Sequence, residues 1–265
     1  MRIPQNRWQA FLVHLGLSTV IFLVLLYLIV FHWYPQPYFA TDGGWQGVRL
    51  ITGVDLVLGP LLTLIVYKLG KPRLKLDLTL IGLVQTVALV WGTWLVHGER
   101  IALVSYADGT FYTLTGEQVR MIGGKAQDIA VQSDQTPPYS FVRLPDDPKE
   151  RRTLLLGAAL HGVLPYQFEE RHEPYGREHL PEVVTKSIDP GRLMHGAPEH
   201  KAALETFLKR HGGSERDYVY VPARGRYDQQ LLVLRRQDGK IVGSIEQPQA
   251  ESADAAPATT AETKP

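Results

Sequence analysis

One carboxylate interrupts an apolar run. In GVDLVLGPLLTL, Gly53 to Leu64, Asp55 stands five residues before Pro60. An aspartate near a bilayer centre costs roughly 2.5–3.5 kcal/mol on insertion scales, so an intramembrane ionisable group is a functional candidate by default. It could grip a partner helix by hydrogen bonding, or act as an acid or base. A second carboxylate, Asp77, begins another apolar run. Six histidines (His161, His172, His179, His195, His200 and His211) are interleaved with Glu169, Glu170, Glu173 and Glu178. A helical metal site places two histidines four apart on one face. No such pair occurs here, so these read as scattered surface histidines and no metal site is expected. Gly123-Gly124-Lys125 and Gly212-Gly213-Ser214 are too short for phosphate loops, and no G-x-S-x-G elbow appears. Asp146-Asp147-Pro148 reads as a cap and turn before a helix. The chain has no cysteine, which excludes disulfides and thiolate chemistry. No catalytic constellation and no cofactor motif emerges, and the chain reads as a non-enzyme.

The elements that must position Asp55 are membrane spans. Residues 1–97 hold seven Lys/Arg and three Asp/Glu, against 21 and 24 in residues 98–265. The net charge of +1 thus conceals an apolar, mildly basic first part and a second part of ordinary soluble composition. Neither part has the concentrated basic patch that nucleic acid requires. Between Arg7 and Asp42 there is no charged residue, and Leu15 to Phe31 is almost continuously apolar. That run is longer than the 7–15-residue core of a cleaved signal peptide. It ends in His32-Trp33-Tyr34, a belt of interfacial type, so a retained span is expected. Further spans are expected from roughly Val48 to Tyr67 and from about Leu76 to Val96. The hinge Lys68 to Lys75 packs four positive charges into eight residues, whereas the loop His32 to Gly47 has no Lys or Arg. Short cytoplasmic loops are rich in Lys and Arg. The amino terminus and this hinge are therefore expected inside, and everything after His97 outside.

The second part, 98–246, reads as an α+β domain large enough to bury its own core. Ile101 to Leu114 alternates around Ala107-Asp108-Gly109-Thr110, a strong hairpin signal. Thr115 precedes a short helix with Glu117 in its first turn. Pro148 to Leu160, with a stripe of Leu154, Leu155, Ala158 and Ala159, and Glu199 to Arg210 read as helices. Strands are expected at Tyr218 to Val221, Gln230 to Arg235 and Ile241 to Ile245. Residues 247–265 have no large apolar side chain, which predicts a disordered tail.

Within the membrane part, the short hinge makes spans two and three an antiparallel hairpin. Asp55, Gly59 and Thr63 recur every fourth residue on one helix face; Gly82, Gln85, Leu89 and Gly92 make a face on span three. Small residues let helices approach, and polar ones bond across them. Depth counted from the hinge sets Gln85 nearly level with Gly59, and Tyr27 of span one near Asp55. Two readings follow for Asp55. It is hydrogen-bonded inside this bundle, with Pro60 bending the helix to make room, or it faces a cleft and grips a partner helix. Arg49, near the outer interface, can snorkel to lipid phosphates or meet a partner's carboxylate. The candidate partner-binding set is Arg49, Asp55, Gly59, Thr63 and Gln85.

The stretch Tyr34 to Gly92, and above all Asp42-Gly43-Gly44-Trp45-Gln46-Gly47, Val54-Asp55-Leu56-Val57-Leu58-Gly59-Pro60-Leu61-Leu62-Thr63 and Gly70-Lys71-Pro72, closely resembles the type IV pilin accessory proteins of the TfpX/TfpZ group. The likeness is strong over the first hundred residues and weaker through about residue 246; the acidic-alanine tail departs from it. The resemblance implies a membrane α-helical bundle of three transmembrane helices followed by an exported α+β domain. It implies a multi-pass protein of the Gram-negative inner membrane, amino terminus cytoplasmic and carboxyl-terminal domain periplasmic. Such a protein assists a cognate type IV pilin into pili, with that pilin, membrane lipids and other pilus assembly proteins as partners, and needs no catalytic residue or cofactor. A competing function is a membrane-embedded enzyme modifying pilin or a lipid-linked substrate, with Asp55 or Asp77 as acid or base. A ligand sensor is a third, weakened by the lack of a cytoplasmic output domain.

Overall fold

Asn6 starts the first helix by accepting a 2.9 Å hydrogen bond from the Gln9 backbone N–H. In the computed structural model, which describes residues 4–132, 135–195 and 198–246, this helix, α1 (Arg7–Leu28), widens into a π-helical turn over Ile29–Trp33. The second span is built of three pieces: α2 (Gly44–Ile51), a π-helical segment Thr52–Leu58, and α3 (Gly59–Val66). Pro60 supplies the reason. It has no N–H, and its ring would collide with the Leu56 carbonyl in a regular α turn. The extra residue per turn of a π segment relieves that collision, and Gly59 N–H bonds five residues back to Val54. After a turn in which Lys71 pairs with Asp77 at 2.8 Å, α4 (Leu74–Gly98) forms the third span. All three spans are long and apolar enough to cross a membrane. Their large side chains, among them Leu12, Leu17, Leu23, Leu80, Val90 and Trp94, point outward and uncovered. On a soluble surface this would be an aggregation liability.

The helices are followed by a mixed seven-stranded sheet. Strands β1 (Ile101–Ala107) and β2 (Thr110–Thr115) form a hairpin. Asp108 and Gly109 both take positive φ, +46° and +88°, as a two-residue turn of this kind requires. Thr115 and Gln118 form a capping box that opens α5 (Gly116–Ile122), and α6 (Gly124–Gln132) follows. Strand β3 (Tyr139–Val142) lies parallel to β1, α7 (Pro148–Leu160) crosses out, and β4 (His172–Pro174) pairs antiparallel with β3. Then come α8 (Leu180–Lys186), α9 (Pro190–His195) and α10 (Pro198–His211). Strands β5 (Tyr218–Arg224), β6 (Gln229–Arg235) and β7 (Ile241–Glu246) form an antiparallel meander. The spatial order is β4-β3-β1-β2-β5-β6-β7.

Strand alternation divides the core between the two faces. Val219, Val221, Leu232 and Leu234 pack with Val104, Tyr106, Phe111 and Phe141 on one face. Tyr218, Tyr220, Leu231 and Val233 meet Leu204 and Phe207 of α10 on the other. The expected stripe on α7 is shallower than its pattern implied. Leu154 and Leu155 rest half-buried against Val142 and Leu144, Ala159 is exposed, and no α7 residue is fully buried. Strands β3 and β4 were not anticipated: at four and three residues they carry no readable alternation. The predicted tail, 247–265, lies outside the described residues.

Candidate functional site

The structure brings Asp55, Gly59, Thr63 and Gln85 together on the inner side of the helical bundle. Asp55 is 1% exposed. Its Oδ1 accepts hydrogen bonds from the Ser18 hydroxyl at 3.1 Å and from Gln85 Nε2 at 2.6 Å, so one carboxylate oxygen ties all three spans. Toward the Lys68 hinge, Thr63 Oγ1 and His14 Nδ1 are hydrogen-bonded at 2.6 Å. Gly59 leaves the space that Gln85 occupies: an ideal Cβ there would lie 2.1 Å from Gln85 Oε1. His14 and Ser18, four residues apart on α1, are members that sequence reasoning missed. Their signal was present, as a polar pair with helical spacing inside an apolar run. Tyr27, expected near Asp55's depth, is instead exposed and meets the Phe31 ring at a tilt and the His32 ring edge-on. It lies nine residues beyond Ser18, about 13 Å along the helix. Gly82 faces open space and Gly92 only brushes Leu50, so of the small residues on span three neither makes a tight crossing. Arg49 is exposed and stands apart from the cluster.

Asp55, Gly59 and Thr63 are buried by the chain's own helices and Gln85 is half-buried, so Asp55 can touch another helix only if the bundle opens. Among the described residues the side-chain partners of Asp55 are Ser18 and Gln85, and His14 bonds to Thr63 rather than to Asp55. The arrangement is suited to fixing helix spacing. Asp55→Asn keeps an oxygen for both donors and is expected to leave protein levels and function near wild type. Asp55→Leu strands Ser18 and Gln85 and is expected to destabilise the bundle by about 1–3 kcal/mol. Membrane levels and thermal unfolding in detergent check this. A proton-transfer role would make Asn as damaging as Leu at normal protein levels.

A second buried carboxylate joins the bundle to the sheet. In the loop between spans one and two, Asp42 accepts from Thr41 Oγ1 at 2.7 Å, from the Arg226 backbone N–H at 3.3 Å, and from Thr113 Oγ1. Thr41 carbonyl accepts from the Tyr227 N–H at 2.8 Å. Burial raises the Asp42 carboxyl above its ordinary 3.8, against the lowering effect of its hydrogen bonds. Around it, Tyr38 is fully buried in the sheet core and its hydroxyl lies 3.1 Å from that of Tyr139. Tyr34 donates to the Val96 carbonyl at 2.7 Å, and Arg226 pairs with Glu99. Gly43, with φ +111°, turns the chain, and Gly44 packs so close to Phe39 that a Cβ would sit 2.3 Å from its ring.

Two of the histidines read as surface residues are buried. His172 lies between Ser140 Oγ, 3.1 Å away, and the Tyr166 carbonyl, 2.8 Å away; burial holds its pKa below the ordinary value. His179 stacks on Phe141 at 4.2 Å and meets Glu173 at 2.7 Å, while Glu173 also binds Arg143. The correction has a packing cause: both histidines fasten the short β4 edge and its following turn to β3. Among the described residues no three His, Asp or Glu side chains converge on a possible metal position.

Comparison with known proteins places this geometry in context. Residues 4–43, comprising span one and the anchored loop, match the family model described as Fimbrial assembly protein FimB. A "Fimbrial assembly protein, serogroups C1 and C2" of Dichelobacter nodosus is 36% identical over 97 residues, covering 36% of this chain and 73% of that protein. A "Fimbrial assembly protein, serogroup E1" of the same organism is 38% identical over 97 residues, again 36% of this chain but only 37% of that protein. The match therefore spans little more than a third of the serogroup E1 relative. No solved structure matches.

Proposed function

The chain belongs to the fimbrial assembly protein family, and from that premise we propose that it is a non-catalytic membrane accessory protein that helps a cognate type IV pilin become pili. The supporting observation is the Asp42 junction, which joins an apolar three-helix bundle to a folded head. A pilin subunit held in the membrane by one apolar helix, with its head outside, offers matching surfaces to both parts. In this reading residues 1–97 form the membrane part and 98–246 a periplasmic domain of an inner-membrane protein, oriented by the Lys68 to Lys75 hinge on the cytoplasmic side. Asp55, Gly59, Thr63 and Gln85 set the spacing of the spans, and thereby the contour against which a pilin helix packs. Arg49 meets lipid phosphate or a pilin carboxylate directly. Polar contacts between membrane helices contribute only about 0.6–2 kcal/mol each, which keeps such an encounter reversible.

Deleting the gene is expected to lower surface pili several-fold while pilin transcript stays unchanged, because the protein acts after synthesis. Immunoblots of sheared surface fractions, set against transcript levels, test this. Wild-type piliation in the deletion strain would overturn the proposal.

A further inference from the structure

Strands β2 and β5 are parallel neighbours, yet they pair only at Phe111 with Ala223 and Tyr112 with Arg224. Past that point β5 ends and turns back into β6, while β2 runs on unpaired on that side to Thr115 and then into α5, which packs on β1 and β2. The two neighbours thus part and leave a crevice beside the exposed end of β2; in open sheets the crevice where parallel strands part is where ligands bind. Here the crevice has a volume of about 490 Å³, within the roughly 300–1,000 Å³ of small-molecule sites.

Its chemistry is specific. Of its charged side chains, Asp42 is consumed by the junction and Glu99 by its pairing with Arg226. Arg224 and Glu117 both line the crevice, both are exposed, and neither forms an ion pair among the described residues. The site thus presents one free guanidinium and one free carboxylate. Beside them the rim is apolar: Met121, 75% exposed, and Leu164. Position adds a constraint. Glu99 and Ile101, on the crevice wall, follow the last residue of the third span, Gly98, by one and three residues. At no more than about 3.6 Å per residue, the opening lies within reach of the membrane surface.

We propose that this crevice binds the headgroup of a zwitterionic phospholipid bearing a primary ammonium. Arg224 receives the phosphodiester through a charge-assisted pair. Glu117 accepts hydrogen bonds from the ammonium, and Met121 and Leu164 cover the first carbons of the acyl chains. The site prefers an ethanolamine headgroup to a choline headgroup, because a trimethylammonium has no N–H to give Glu117. It does not depend on the pilin reading, since lipid retention is measured without any pilus component.

The test uses the full chain, reconstituted in vesicles of equal phosphatidylethanolamine and phosphatidylcholine, extracted in mild detergent and weighed with its retained lipid by native mass spectrometry. Wild type is expected to retain phosphatidylethanolamine in preference. Arg224→Gln is expected to lower the retention of both lipids about tenfold, the scale of one charge-assisted bond. Glu117→Ala, which removes the acceptor, is expected to erase the preference while keeping retention. Both residues are exposed, and unfolding curves matching wild type verify the fold of the variants. Equal retention of the two lipids by wild type, or variants that retain lipid as wild type does, would overturn the site. Displacement of the lipid by equimolar soluble glycerophosphoethanolamine would assign the same chemistry to a free ligand and overturn the membrane source.

Discussion

Asp42→Ala is expected to separate the sheet domain from the helical bundle while leaving each part folded. The substitution removes the acceptor of three hydrogen bonds at once and leaves the Arg226 N–H without this partner, while the Thr113 and Thr41 hydroxyls keep as acceptors only the Arg224 and Tyr38 carbonyls, each at 3.3 Å. Hydrogen bonds to a charged group contribute about 1.5–3 kcal/mol each, and a stranded buried donor costs a further 1–3. A loss of about 4 kcal/mol is a large share of the 5–15 kcal/mol typical of a domain. Limited proteolysis in detergent should then cut between Gly98 and Ile101 far faster than in wild type. Asp42→Asn retains an acceptor for Thr113 and the Arg226 N–H and should resist cutting. Equal resistance of wild type and Asp42→Ala would show that Tyr34, Tyr38 and the Glu99–Arg226 pair hold the junction alone.

The same carboxyl gives a pH test with a defined sign. Its folded-state pKa is raised above the ordinary 3.8 because burial outweighs the opposing hydrogen bonds. A carboxyl of this kind favours folding fully when pH is below the unfolded value, and that contribution is lost as pH rises through the folded value. The stability of wild type relative to Asp42→Asn should therefore grow as pH falls through the raised folded value toward the ordinary 3.8. A difference that is flat or shrinks on acidification would refute the shift.

What the sequence made legible was local. Charge-free runs and the Lys68 to Lys75 hinge mark the three apolar helices; Asp108-Gly109 and the Thr115 cap mark their turns without help from the rest of the chain. What stayed hidden was set by distant partners. Asp42 stands in a glycine-rich motif whose residues resemble an interfacial loop, but its role depends on Thr113 and Arg226, 71 and 184 residues away. His172 and His179 read as surface residues because the strands that bury them are too short to announce themselves. The two π-helical stretches follow from no residue pattern alone. The second contains Asp55, which is buried in the bundle interior, and ends just before Pro60.

Gly59→Ala tests whether that interior cluster is a lock. In a lipid-exposed helix, replacing glycine by alanine ordinarily stabilises by up to about 1 kcal/mol. Here the new methyl would sit 2.1 Å from Gln85 Oε1 and 2.4 Å from its Cδ, so Gln85 must swing away from Asp55. That breaks the 2.6 Å bond from Gln85 Nε2 and leaves Ser18 as the remaining side-chain donor to the carboxylate. The expected sign is therefore reversed: a net loss of about 1–3 kcal/mol, read as lower thermal stability in detergent and lower steady-state level in membranes. Gln85→Ala should cost a similar amount for the same reason. The double variant isolates the mechanism, because once Gln85 is shortened the Gly59 methyl has nothing to displace. Gly59→Ala should then add no further loss on the Gln85→Ala background. Strict additivity of the two losses would mean that Gly59 acts through some other contact and that the Asp55–Gln85 bond is not what holds the three spans in register.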